Sequence, residues 1–181
     1  MKNAYIFAGV NGAGKTTLYY NELERKKDFG RRINIDEIVS SFGDWKNSKD
    51  QIRASKIAIA SRNLYIKNAY DFNIETTLCG SSILSLFQKL KDNSYTIHLY
   101  YVQVESVEIA KDRIKQRVQK GGHNVDEKLI EKRFSQSLKN FKKVAPICYE
   151  VLVFDNSKNE FKLVETKNDL NQQEISTKMV K

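Results

Sequence analysis

Residues 8–18 read AGVNGAGKTTL, and Gly9, Gly14, Lys15 and Thr16 in them complete the pattern G-x-x-x-x-G-K-[ST]. The run NAYIFAG at 3–9 is short, apolar and ends in glycine, as a buried strand does, and Thr16 to Lys27 reads as a helix. The motif therefore lies between a strand and a helix, the context that gives it meaning. Glycines there let backbone N–H groups turn inward around a phosphate, and the helix N-terminus adds partial positive charge. The whole loop, Gly9 with Asn11, Gly12, Ala13, Gly14, Lys15, Thr16 and Thr17, is expected to hold a nucleotide. Lys15 would reach the β- and γ-phosphates of ATP, and the Thr16 hydroxyl would ligate Mg²⁺.

Outward from the loop, strands and helices alternate. RRINID (31–36), FNIETTL (72–78), YTIHLYYVQV (95–104), YEVLVFD (149–155) and EFKLVE (160–165) read as strands. Helices are expected from about Ser48 to Tyr70, over Ser81–Lys91, after a Ser106 cap to Gly121-Gly122, and from an Asn124/Glu127 capping box to Pro146. This order predicts one α/β domain, residues 1–165, with a parallel sheet flanked by helices. A small helical lid is expected at about 113–133, and a polar, frayed tail over 166–181.

Composition narrows the classes. The 181 residues carry a net charge of +9, with lysines scattered rather than blocked. No apolar run approaches the ~18 residues of a membrane span, and the N-terminal YIFAGV lacks a cleavage site. Cys79 and Cys148 lie far apart without metal-type spacing, which suits a reducing cytosol. A cytoplasmic protein is expected. Nucleic acid is disfavoured as a partner, because Tyr95, Tyr100 and Tyr101 sit on a core strand rather than interleaving with basic residues along a groove. The N-K-x-D motif of guanine switches and the L-S-G-G signature of ABC ATPases are absent, and Gly12-x-Gly14 lacks the third glycine of a dinucleotide fingerprint.

Phosphoryl transfer to a hydroxyl calls for a carboxylate placed to accept its proton. In open α/β sheets, ligands sit beyond the carboxyl ends of the strands. Two acids fall there: Asp36 after RRINI and Glu75 after FNI, with Thr76 and Thr77 beside the second. Arg113 and Arg117 share a helix face, Arg133 follows on the next helix, and the double glycine with His123 lies between them. A helix, a glycine hinge and a helix could close arginines over the phosphates.

NGAGKTTL, INID, IETTL and KGGHNVDEKLIEKRFSQSLKNF followed by VFDNS together resemble the zeta-toxin family of P-loop kinases, from about Ala4 to Ser157. The resemblance implies an adenylate-kinase-like sheet and transfer from ATP, with Mg²⁺, to a hydroxyl of a small acceptor. In characterised toxins that acceptor is the 3′-hydroxyl of UDP-N-acetylglucosamine. The resemblance also implies Asp36 as general base, Glu75 and Thr77 as substrate contacts, and Arg117 with either Arg113 or Arg133 as lid arginines. It brings an antitoxin protein as a partner of some members. One departure stands out: residues 51–70 hold no acid, where the sugar-nucleotide toxins have an acidic substrate contact. The alternatives are a P-loop kinase of another metabolite, nucleoside or polynucleotide, and a non-catalytic ATP-binding regulator.

Overall fold

The computed structural model describes residues 1–25, 27–158 and 160–167. Its elements are β1 (Lys2–Ala8), α1 (Lys15–Glu24), β2 (Arg31–Ile33), α2 (Ile35–Ser40), α3 (Ser48–Lys67), β3 (Phe72–Thr76), α4 (Ser81–Asp92), β4 (Tyr95–Gln103), α5 (Val107–Gln119), α6 (Glu127–Val144), a 3₁₀ turn (Ala145–Ile147), β5 (Glu150–Asp155) and β6 (Lys162–Thr166).

The strands form one sheet in the order β2-β3-β1-β4-β5-β6. The first five are parallel and β6 runs antiparallel to β5. The expected parallel sheet flanked by helices is present, and its edge strand turns back because only residues 156–161 join β5 to β6, too few for the crossover that a parallel strand needs. Beyond the expected Thr166 boundary, Lys167 donates to the carbonyls of Pro146 and Cys148. The rest of the anticipated tail lies outside the described residues.

Side-chain alternation along the central strands separates two cores. Ala4, Ile6 and Ala8 of β1 with Ile97, Leu99 and Tyr101 of β4 face Ile66, Phe87, Leu90 and Phe141. Phe7, Tyr100 and Val102 face the opposite side, against Leu18, Phe29 and Ile114. The three β4 tyrosines are all buried. Tyr101 hydroxyl pairs with Ser137 at 3.2 Å, and burial pushes its pKa up to about 12.

Three local readings change. α1 ends at Glu24, short of Lys27. The RRINID strand stops at Ile33, because Asn34 caps a short helix: its Oδ1 accepts from the Asp36 N–H at 2.9 Å. Asp36 therefore sits in the first turn of α2 rather than at a strand end. α6 is capped by Asp126, which accepts from Leu129 N–H, whereas Asn124 turns back to the Val125 N–H.

β1 lies where the connections diverge to either side of the sheet, and its end at Ala8 is level with Thr76 and Tyr101. The crevice at such a switch point is where open α/β sheets bind ligands. Gly9 continues the ladder by donating to Thr76 O at 3.2 Å. Its φ is +142°, and a Cβ there would lie 2.2 Å from Val102 O, so only glycine fits.

The far wall of the crevice depends on Asn140, whose buried amide donates to Leu78 O (2.8 Å) and Gly80 O (3.2 Å), tying α6 to the loop after β3. Asn140→Leu leaves those carbonyls without this donor and is expected to cost about 1–3 kcal/mol. Urea unfolding should show a lowered midpoint, and an unchanged midpoint would mean that the loop is held by other contacts.

Candidate active site

The loop after β1 wraps the start of α1. Gly14 has φ +101°, and α1 begins without a side-chain cap, so its first N–H groups face the crevice. Behind the loop, Asn156 donates to Ala13 O at 2.8 Å, and a Cβ on Gly14 would lie 2.5 Å from that amide. Lys15 Nζ donates to Val10 O at 3.1 Å. Burial lowers the Lys15 pKa, with Arg117 and Arg133 acting in the same direction and Glu75 and Asp36 opposing.

A cavity of about 820 Å³ opens over this loop. Every anticipated site residue except Gly9 and Ala13 lines it, and those two are buried. The two acids behave differently. Glu75 is held: Oε1 pairs with Arg32 at 2.5 Å and Oε2 accepts from the Thr16 hydroxyl at 2.8 Å, with its side chain only 9% exposed. Arg32 in turn binds Glu37 at 2.7 Å and Asn73 at 3.1 Å, and lies 3.6 Å from the Tyr19 ring centroid. Asp36 keeps a side chain that is 53% exposed in the cavity, with Oδ2 lying 3.8 Å from His123 Nδ1.

The three arginines diverge. Arg133 of α6 donates to Asn11 Oδ1 at 2.8 Å, joining that helix to the phosphate loop. Arg117 donates to the His123 carbonyl (2.8 Å) and to Nε2 (3.1 Å). Arg113 binds the carbonyls of Asn156 and Ser157, so it braces the segment after β5. Thr76 Oγ1 accepts from Leu78 N–H at 3.0 Å, and Thr77 lines the wall beside it. In the segment without acids, α3 contributes Gln51 and Ser55 to the cavity.

Sequence reading assigned nothing to Arg32, Asn156 or Trp45, although each left a trace. Arg32 is a charge inside a strand, Asn156 a polar residue just after one, and Trp45 the sole tryptophan, in a polar turn. Trp45 stacks on His123 with ring centroids 4.2 Å apart and planes 16° from parallel.

The site suits Mg²⁺ held through a nucleotide. No group of three or more His, Cys, Asp or Glu able to hold a metal exists among the described residues. Mg²⁺ on a triphosphate needs few protein ligands, the rest being phosphate and water. The Thr16 hydroxyl can offer a lone pair while still donating to Glu75.

The zeta toxin family model matches residues 1–169. An uncharacterised protein of Haemophilus influenzae is 33% identical over 135 residues, covering 74% of this chain and 94% of its own. Among solved structures, one of the PezAT chromosomal toxin-antitoxin system of Streptococcus pneumoniae superposes with TM-score 0.68 at 16% identity, over 97% of this chain and 75% of that one. The AvrRxo1-ORF1:-ORF2 complex with ATP gives TM-score 0.73 at 14% identity, over 92% and 58%. The chain thus spans a little over half of the latter, and 46% of a matched chain in the Pnkp1/Rnl/Hen1 RNA repair complex. At these identities the solved structures establish the fold. Among the described residues no helix is long and apolar enough to cross a membrane.

Since burial lowers the Lys15 pKa, the charged ammonium costs the folded state stability. That cost is complete below the lowered pKa and fades as pH rises through the ordinary lysine range. Lys15→Met is expected to unfold at a temperature equal to or above that of the parent at neutral pH. It should also lose the rise in Tm that ATP gives the parent. A variant still stabilised by ATP would contradict this placement of Lys15.

Proposed function

This chain belongs to the zeta-toxin family, and from that premise we propose that it is an ATP-dependent kinase. It moves the γ-phosphoryl group to a hydroxyl of a small acceptor, with a nucleotide sugar such as UDP-N-acetylglucosamine the first candidate. The observation that carries the reading is the unequal treatment of the two acids. Arg32 and Thr16 consume both oxygens of Glu75, whereas Asp36 stays half-exposed in the cavity that contains Lys15.

In this reading the α1 N–H groups and Lys15 hold the β- and γ-phosphates. Thr16, oriented by Glu75, would hold Mg²⁺, which would supply charge compensation to the phosphates. Asp36 accepts the proton of the acceptor hydroxyl as its oxygen attacks the γ-phosphorus. An O–P bond forms, the bridging P–O bond to the β-phosphate breaks, and ADP leaves. Arg117 and Arg133, on the two helices of a lid spanning about 113–133, compensate the charge that spreads over the transferring oxygens. Gln51 and Ser55 stand where the resemblance would put an acidic contact, so the acceptor meets neutral hydrogen-bonding groups along α3. The PezAT structure comes from a toxin-antitoxin system, and AvrRxo1-ORF1 is solved together with -ORF2. A protein antitoxin belongs to the same reading.

Incubation with γ-labelled ATP, Mg²⁺ and a metabolite extract, with UDP-N-acetylglucosamine run separately, should yield a labelled acceptor. Asp36→Asn should reduce transfer by about 10²- to 10⁴-fold, with ATP affinity retained. Label appearing only as free phosphate would replace the kinase with an ATPase. Full transfer by Asp36→Asn would remove Asp36 from the role of base.

A further inference from the structure

We propose that His123 is a positioning residue that couples lid closure to the orientation of Asp36, with Trp45 as the wall that fixes its ring. The inference rests on the kinase reading for the role of Asp36, but the linkage itself stands on geometry.

Arg117 sets the tautomer. A guanidinium has donors and no acceptor, so its 3.1 Å contact with His123 Nε2 requires a lone pair on that nitrogen. The single proton of the neutral ring is then on Nδ1, the atom that faces Asp36 Oδ2 at 3.8 Å. That distance exceeds a hydrogen bond, and catalytic contacts tighten when substrate binds. A shift of under 1 Å in the lid segment brings Nδ1–H into contact with one carboxylate oxygen and leaves the other for the acceptor hydroxyl. Two more bonds, from Arg117 Nε and Nη2 to the His123 carbonyl, fix the backbone at the same place.

Three separate elements meet at this ring. Arg117 comes from α5, Asp36 from α2, and Trp45 from the turn between α2 and α3, its indole stacked on the imidazole at 4.2 Å. The Gly121-Gly122 pair directly precedes His123, and Gly121 has φ +85° with nothing within 4 Å of the position a Cβ would take. Gly122, by contrast, donates to Arg117 O at 2.9 Å and a Cβ there would lie 2.5 Å from Arg117 Cγ, so the segment moves together with Arg117 rather than past it. When they move away from α2, the gap from Nδ1 to Asp36 widens and the Trp45 ring face is uncovered.

The charged groups around the ring give the sign of its pH response. Burial, then Arg117 and Arg133, disfavour the imidazolium while Asp36 favours it, and the net effect places its pKa below the ordinary histidine value. Protonation would also destroy the lone pair that Arg117 uses. Closure is therefore complete above the ordinary histidine pKa and weakens as pH falls through it toward the lowered value.

Because Trp45 is the sole tryptophan, its emission reports on this ring in the whole protein without any ligand. We expect an intrinsic-fluorescence transition as pH falls through the histidine range. His123→Asn should abolish it, which separates it from the other histidine, His98. Asp36→Asn should move its midpoint to lower pH, and Arg117→Gln to higher pH. Midpoints unmoved by both variants would overturn the linkage.

Kinetics with γ-labelled ATP and the acceptor found for the parent protein test the positioning role. An Asn amide can stand where Nδ1–H stands, and a Gln amide reaches only the Nε2 position. His123→Gln should therefore lose kcat by roughly 10- to 100-fold with acceptor KM little changed. His123→Asn should recover most of that loss and show a flatter acid limb. Equal losses in both variants, or an effect confined to KM, would overturn the positioning role. A parent protein that labels no acceptor overturns the kinase reading instead, and the fluorescence midpoints decide the linkage in either case.

Discussion

The arrangement depends on the donors that the protein gathers around the start of α1. The first N–H groups of α1 have no side-chain cap, and the Lys15 ammonium, held on Val10 O, feels the charge of Arg117 and Arg133. A helix start of this kind ordinarily recruits a serine, threonine or aspartate side chain. Here Gly14 occupies the cap position, and the side chain that crowds it, Asn156, turns its amide to Ala13 O. Such a concentration of donors suits an anion with several oxygens, which is what a nucleotide phosphate offers. Stability is sacrificed at the crevice so that ligand binding can restore it.

The rest of the site divides negative charge with care. Two carboxylates so near a phosphate site would repel the ligand if both were free. Glu75 is neutralised by Arg32, which is itself held by Glu37, Asn73 and the face of Tyr19. The strand β2, three residues long, thereby fixes a charge on β3 and presents Asp36 from the helix that follows. Removing Arg32 would leave Glu75 a mostly buried, uncompensated anion, so its contribution is as much to the site as to the sheet.

The strand–loop–helix order, the parallel core and the phosphate loop were legible because each rests on local chemistry. Glycines, a lysine and a hydroxyl at fixed spacing, or an alternation of apolar residues, need no distant partner to be read. The antiparallel turn of β6 was not legible, since period-2 patterning carries no strand direction and Asp155 pairs with Lys162 only in the folded sheet. Asp36 was placed on the right edge but on the wrong element, because the Asn34 cap competes with strand continuation over a single residue. The arginines were found as a group, yet their separate tasks depend on long-range partners: Asn11 for Arg133, the residues after β5 for Arg113, and His123 for Arg117. Trp45 stood out as the sole tryptophan, but its stacking on His123, 78 positions away in the chain, exists only in the fold.

A crystal structure with Mg²⁺ and a non-hydrolysable ATP analogue measures the central claim most directly. The account predicts that the γ-phosphate lies over Lys15 with the Asp36 carboxylate facing it. An acceptor oxygen would then fit within about 3 Å of both. A carboxylate turned away from the γ-phosphorus, or Glu75 released from Arg32 to take that position, would contradict it.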